Sequence, residues 1–202
     1  MTDALQSRPE ILPEDRARAN CYALIGRFMY GPPDADVLSY VAKQTGGEDA
    51  VPLAQAWRGL QAACASADVD DARAEYDDLF VGVGKAPVSL YTAAYAAPHA
   101  PDRHLLGLRD QLDAWHLARR PQAGESEDHI SGVCDVMRWL IETGQGLDAE
   151  RAFFLGFVAP AVEPLCDAIA NAHQSLFYRH VAAFVLAFYE VERSGFELVG
   201  TE

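Results

Sequence analysis

Five consecutive residues, Glu125, Ser126, Glu127, Asp128 and His129, hold the densest chemistry in the chain. Three carboxylates beside an imidazole can accept hydrogen bonds from guanidinium groups, which present paired donors in a fixed fork. The histidine adds a contact that changes charge near neutral pH. The same residues also support a purely structural reading. Ser126 is a good helix N-cap, and Glu127 and Asp128 in a first turn would complement the helix dipole, with His129 an ordinary first-turn residue. Spacing alone leaves both readings open.

Other chemistry is sparse. The chain has no His-Glu-x-x-His zinc motif, no Gly-x-x-x-x-Gly-Lys-Ser/Thr phosphate loop and no Gly-x-Ser-x-Gly elbow. Gly82-Val83-Gly84 lacks a preceding strand and reads as a turn. Asp113 and His116 supply one carboxylate-x-x-His spacing, but a helical di-iron site needs a second, and none is found. No metal or cofactor is expected. Cys21, Cys64, Cys134 and Cys166 are scattered and form no Cys-x-x-Cys pair, as expected of small core residues in a reducing compartment.

The elements that must position Glu125–His129 are helical. Cys21, Leu24, Ile25 and Phe28 recur at helical spacing after Pro13, and Gly31-Pro32-Pro33 ends that helix. Asp34 can cap the next one, through Val37, Leu38 and Val41. After a Gly46-Gly47 break, helices are expected over about 51–67, 68–80 and 102–118, with 81–90 a loop. Residues 119–125, with Pro121 and Gly124, form the expected hinge. Ile130, Val133, Cys134, Met137, Leu140 and Ile141 mark an amphipathic helix closed by Gly144 and Gly146, and Asp148 can cap its successor. Pro160 and Pro164 are expected to split the next apolar region. Phe177, Val181, Phe184, Val185 and Phe188 stripe the last helix. No period-two alternation or repeat is found. The expected fold is all-α, a single compact domain of roughly eight to eleven helices.

Composition narrows the class. Half of the 202 residues are hydrophobic, enough for a sizeable core. Thirty acidic residues against sixteen basic ones, a formal charge of −14, argue against nucleic acid and anionic membrane surfaces and favour a basic partner. The first twenty residues lack a signal-peptide pattern, and the apolar stretches near 152–162 and 181–189 read as too short to span a bilayer. A cytoplasmic protein without membrane insertion is expected.

Two segments resemble a known family, the redox-enzyme maturation chaperones of the TorD, DmsD and NarJ group. The first is Glu75-Tyr76-x-x-Leu79-Phe80-Val81-Gly82-x-Gly84, followed by Pro87 and the pair Tyr91 and Tyr95. The second is Glu125-x-x-Asp128-His129 opening an apolar helix, similar to the family's Glu-Pro-x-Asp-His signature. A fainter echo lies at 153–167, where Phe157, Pro160 and Pro164 remain but the family's histidine and tryptophan do not. Ser126 stands where the family has proline, and Thr92 where a glutamate is common.

The resemblance implies a TorD-like helical bundle without enzymatic activity. It would bind the twin-arginine leader peptide, or another segment, of a molybdenum-containing oxidoreductase catalytic subunit until its cofactor is inserted. Two charge-assisted hydrogen bonds, at roughly 1.5–3 kcal/mol each, fall short of the ~8 kcal/mol of micromolar binding, so an apolar groove must supply the rest. Leu79, Phe80, Tyr91 and Tyr95 are its expected wall, with Glu125, Asp128 and His129 at the charged end. On this reading Asp128→Ala weakens binding with the melting temperature nearly unchanged. The rival classes are a metal-dependent helical enzyme and a structural subunit of an oxidoreductase complex. A monomer, or a dimer swapped about the 119–125 hinge, is expected.

Overall fold

The computed structural model describes residues 11–45, 51–82, 84 and 86–199, and the Gly46-Gly47 break and Val83 lie outside them. Chain order runs α1 (Pro13–Tyr30), α2 (Ala35–Ala42), α3 (Pro52–Ser66), α4 (Val69–Tyr76), α5 (Ala93–Ala96), α6 (Pro101–Ala114), α7 (Ile130–Thr143), α8 (Leu147–Phe153), α9 (Ala159–Asn171) and α10 (Tyr178–Val199). No strand occurs among the described residues, so the fold is all-α as expected. Helices α1 and α7 form the most extensive pair, α10 lies against α9 and α3, and α5 joins α6 to α9.

Local rules place most boundaries. Pro13 stands at the start of α1, where its missing N–H costs nothing. Asp34 caps α2 by accepting the Val37 amide at 2.9 Å, and Asp68 caps α4 through the amides of Asp70 and Asp71. Gly144 ends α7 in the left-handed conformation, φ 64°, that glycine adopts without strain. All six apolar residues expected on the inner face of α7 are buried, and so are the five expected at the last helix. Burying a side chain of that size contributes about 1.5–3 kcal/mol, so these stripes dominate the packing.

Some expectations are corrected. Pro160 and Pro164 do not split the apolar region: α8 and α9 run on through a widened π turn at Phe154–Val158. Such a turn absorbs a proline that supplies no N–H and crowds the carbonyl one turn back. The joined helix, Leu147–Asn171, is therefore long and apolar enough to cross a membrane by length and composition. Here its Phe153, Phe154, Val158, Val162, Leu165 and Ile169 face the core. Asp148 does not cap α8; Gly146 holds that position.

Helix α6 ends at Ala114, not at 118, and residues 115–129 are irregular. His116 takes the left-handed position beyond the helix, φ 56°. There the Leu117 amide donates to the Leu112 carbonyl at 2.9 Å and the His116 amide to that of Asp113 at 3.0 Å. Asp113 and His116 thus do not share a helical face.

The Glu75-to-Phe80 segment is a structural junction. The Glu75 carboxylate accepts the backbone amides of Leu176, Phe177 and Tyr178 at 2.9, 2.8 and 2.7 Å, capping α10 from α4. The Tyr76 hydroxyl donates to the Met29 carbonyl of α1 at 3.2 Å. Phe80 meets the Tyr178 ring edge-on at 5.0 Å, and Leu79 is fully buried.

Candidate peptide-binding site

The two segments singled out in the sequence meet through backbone. Leu90–Thr92 and Asp128–Ile130 form one isolated antiparallel bridge. The Thr92 amide donates to the Asp128 carbonyl, and the Ile130 amide to the Leu90 carbonyl, both at 2.8 Å. This bridge holds the Gly/Pro loop against the start of α7, which neither segment could arrange alone.

The helix start differs from expectation. His129, not Ser126, is the N-cap of α7: its Nδ1 accepts the Ser131 amide at 3.3 Å and lies 2.7 Å from the Ser131 hydroxyl. Ser126 instead donates its hydroxyl to Asp128. Glu127 and Asp128 therefore precede the helix rather than forming its first turn. An Nδ1 that accepts an amide leaves the imidazole proton on Nε2, the neutral tautomer. Burial holds His129 below its ordinary pKa of 6.5, against the pull of Glu125 and Asp128.

The three carboxylates have three different situations. Asp128 is buried, 4% exposed, in an inner polar group that includes Ser126 and His104. Glu127 is already paired: Arg109 donates to it at 2.9 and 3.1 Å, and Arg119 approaches to 3.7 Å. Burial raises its carboxyl, but its own amide and both guanidiniums outweigh that and hold it below the usual range. Glu125 is half-buried and accepts the hydroxyl of Tyr91. That hydrogen bond, with burial and the negative charge nearby, pushes the Tyr91 phenol up to about 12.

Beside them lies a cavity of about 700 Å³, within the range of small-ligand pockets. Ala23, Gly26, Arg27 and Tyr30 of α1 form one wall, and Gly132, Asp135, Val136, Arg138 and Trp139 of α7 another. Residues 117–127 roof it, bringing Leu117, Arg119, Arg120, Glu125 and Glu127 to its lining. Gly132 permits the tight approach, since a Cβ there would lie 3.2 Å from the Glu127 carbonyl oxygen. The rings of Tyr30 and Tyr91 meet the His129 ring edge-on at 6.4 and 5.4 Å.

Among the seven residues expected at the site, Glu125 and His129 line this cavity, and Tyr91 touches both of them. Asp128 is buried next to His129 and is not part of the lining. Leu79 and Phe80 belong to the Tyr76–Tyr178 aromatic core instead, and Tyr95 is half-buried with its hydroxyl donating to the Ser89 carbonyl at 2.9 Å. Tyr30, Trp139, Arg119 and Arg120 were missed. Tyr30 ends α1 at an exposed position just before Gly31, which is the one signal that could have found it.

The geometry is an all-helical scaffold whose cavity is lined by a half-buried carboxylate, with two exposed tyrosines beside it. The chain matches the family described as the nitrate reductase delta subunit over residues 47–190 and belongs to it, the NarJ/TorD-type group of redox-enzyme maturation chaperones. No curated protein matches the chain. The family matures molybdoenzymes and works through their catalytic subunits.

Proposed function

We propose that this chain binds an arginine-bearing, otherwise apolar segment of a molybdenum-containing oxidoreductase catalytic subunit, such as a twin-arginine leader, and holds the subunit until its cofactor is inserted. The observation that carries this reading is the bridge that brings Tyr91 against Glu125 and His129, both of which line the α1–α7 groove. Glu125 and its neighbouring tyrosines would take a client guanidinium by a charge-assisted hydrogen bond and ring contact. Trp139, Val136, Leu112 and Ala23 offer the apolar surface that supplies most of the affinity. His129 lines the groove, the buried Asp128 supports it, and Phe80 and Tyr95 lend rigidity rather than contact.

Titration calorimetry with a synthetic peptide of two adjacent arginines followed by an apolar stretch tests the reading. Binding in the micromolar range, weakened only moderately by salt, is expected because screening acts on the charged share alone. No heat of binding, together with no oxidoreductase subunit captured from native lysate, would sink it. Capture of mature, cofactor-loaded enzyme would instead favour a structural subunit.

A further inference from the structure

The roof of the groove carries an arginine pair of its own. Arg119 and Arg120 both line the cavity, on the irregular segment 115–127. Arg119 sits 3.7 Å from Glu127, two residues from Glu125, the carboxylate that the proposed function assigns to a client's arginine.

The segment is fixed at its ends and loosely held between them. At one end Trp115 packs on Trp139 and Phe153 at 6.1 and 5.8 Å, and Leu117 lies against the core. At the other, the Asp128–Ile130 bridge secures the chain. Residues 118–122 and 124 are exposed. Their bonds are local: Arg119 donates to the Ala123 carbonyl, and the Ala123 amide to the Arg120 carbonyl at 2.9 Å. The contact with Glu127 is long and made from an exposed arginine, and such contacts contribute little. A span with firm ends, local bonds and one weak ion pair can leave without disturbing the helices.

We infer that residues 118–124 are an internal competitor, a strap whose Arg119, paired with Glu127, and neighbouring Arg120 occupy the acidic side of the α1–α7 groove and are displaced by a client segment carrying paired arginines. This rests on the proposed function for the identity of the client, but not for the strap itself. Displacement exchanges one arginine contact for another, so selectivity falls on the client's apolar portion, which the strap, with Pro121, Gln122 and Gly124 after its arginines, does not imitate. A free basic side chain would gain little over the strap, whereas arginines attached to an apolar stretch would.

The test compares wild type with R119A/R120A for the arginine-pair peptide described above and for the same peptide with both arginines replaced by glutamine. The double variant should bind the arginine peptide roughly 1.5-fold to fivefold more tightly, the range set by the loss of one exposed ion pair, with no comparable gain for the glutamine peptide. Unchanged or weaker affinity overturns the strap, as does an equal gain for both peptides. Binding by the variant but not by wild type supports it. Binding by neither overturns the proposed function, and the competitor with it. Amide hydrogen exchange on the wild type gives a second readout. The Ala123 amide should exchange faster when peptide is saturating, and slower exchange there would mean a roof that closes over the peptide, overturning displacement.

Discussion

Tyr91 and His129 face each other across a single antiparallel bridge, their rings 5.4 Å apart and nearly perpendicular. The contact ties an exposed phenol to a buried imidazole, so the outer surface of the site and the start of α7 form one unit. The same bridge places the Tyr91 hydroxyl on Glu125 and the Asp128 carbonyl on the Thr92 amide. On the proposed function, recognition falls to Glu125 and stability to Asp128, and substitutions should separate them.

Glu125→Gln keeps the acceptor for Tyr91 but removes the charge. Peptide affinity should fall roughly tenfold or more, the value of one charge-assisted hydrogen bond, while the melting temperature moves by less than about 1 °C. Asp128→Ala should do the reverse of what its place in the motif suggests. The side chain is buried and accepts the Ser126 hydroxyl, so its removal should cost about 1–3 kcal/mol and lower the melting temperature by several degrees. Calorimetric titration and thermal melts on the two variants check both halves.

Acid should weaken the fold through His129. Its folded pKa lies below the ordinary 6.5 because burial disfavours the charged ring. The unfolded chain therefore takes up a proton near pH 6.5 that the folded chain refuses. Stability is full above pH 6.5 and is lost as pH falls through 6.5 towards the lowered folded value. His104 is depressed in the same direction by burial, and Glu150, raised by burial, acts in the opposite sense. The difference between wild type and His129→Asn isolates the histidine. Asparagine retains a capping acceptor and does not titrate, so the gap in urea midpoint should narrow as pH is lowered from 7.5 to 5.

Glu75 should prove a stability residue. Its carboxylate accepts three backbone amides at the start of α10, and α10 carries the Val181, Phe184, Val185 and Phe188 stripe of the core. Glu75→Ala leaves those amides unpaired and should cost about 2–3 kcal/mol, at the upper end for a cap and in the range of charged hydrogen bonds. Peptide affinity at low temperature should be unchanged, because Glu75 lies away from the groove lining. Chemical denaturation and calorimetry together check this.

The helices were legible because apolar spacing and caps are local: Ile130 to Ile141 shows its buried face, and Asp34 its capping role, in a short stretch of chain. The site was legible only in part. Tyr91 and Glu125 were named together, but the bridge joining them is a long-range backbone pairing with no local signature. Ser126 has the better capping chemistry, yet His129 caps α7, because pairing of Asp128–Ile130 with Leu90–Thr92 delays the first helical turn. Leu79 and Phe80 share a motif with the loop, but helical geometry turns both towards Tyr178 and the core. Arg119 was read as hinge, since nothing local shows that it reaches Glu127.

The wall of the groove opposite α7 depends on a second, distant cluster. Arg18 of α1 donates to Glu192 of α10 at 2.7 and 3.0 Å and to Glu150 of α8 at 2.7 Å, and the Tyr22 hydroxyl donates to Glu192 at 3.0 Å. Both carboxylates are buried, and Asp15 adds a third, more exposed partner. Burial opposes the guanidinium charge, but Glu192 and Glu150 more than offset it, so Arg18 stays charged. A buried ion cluster adds little net stability when whole, and costs much when one member is removed. Arg18→Met should therefore destabilise by about 3–5 kcal/mol, because two buried carboxylates lose their cation. Replacing the cluster together, as Arg18→Met, Glu150→Leu and Glu192→Gln, should recover most of that loss, with glutamine keeping an acceptor for Tyr22. Urea denaturation of the single and triple variants measures the difference. A single variant as stable as wild type would mean that α1 is held by apolar packing with Phe188 and α7 alone.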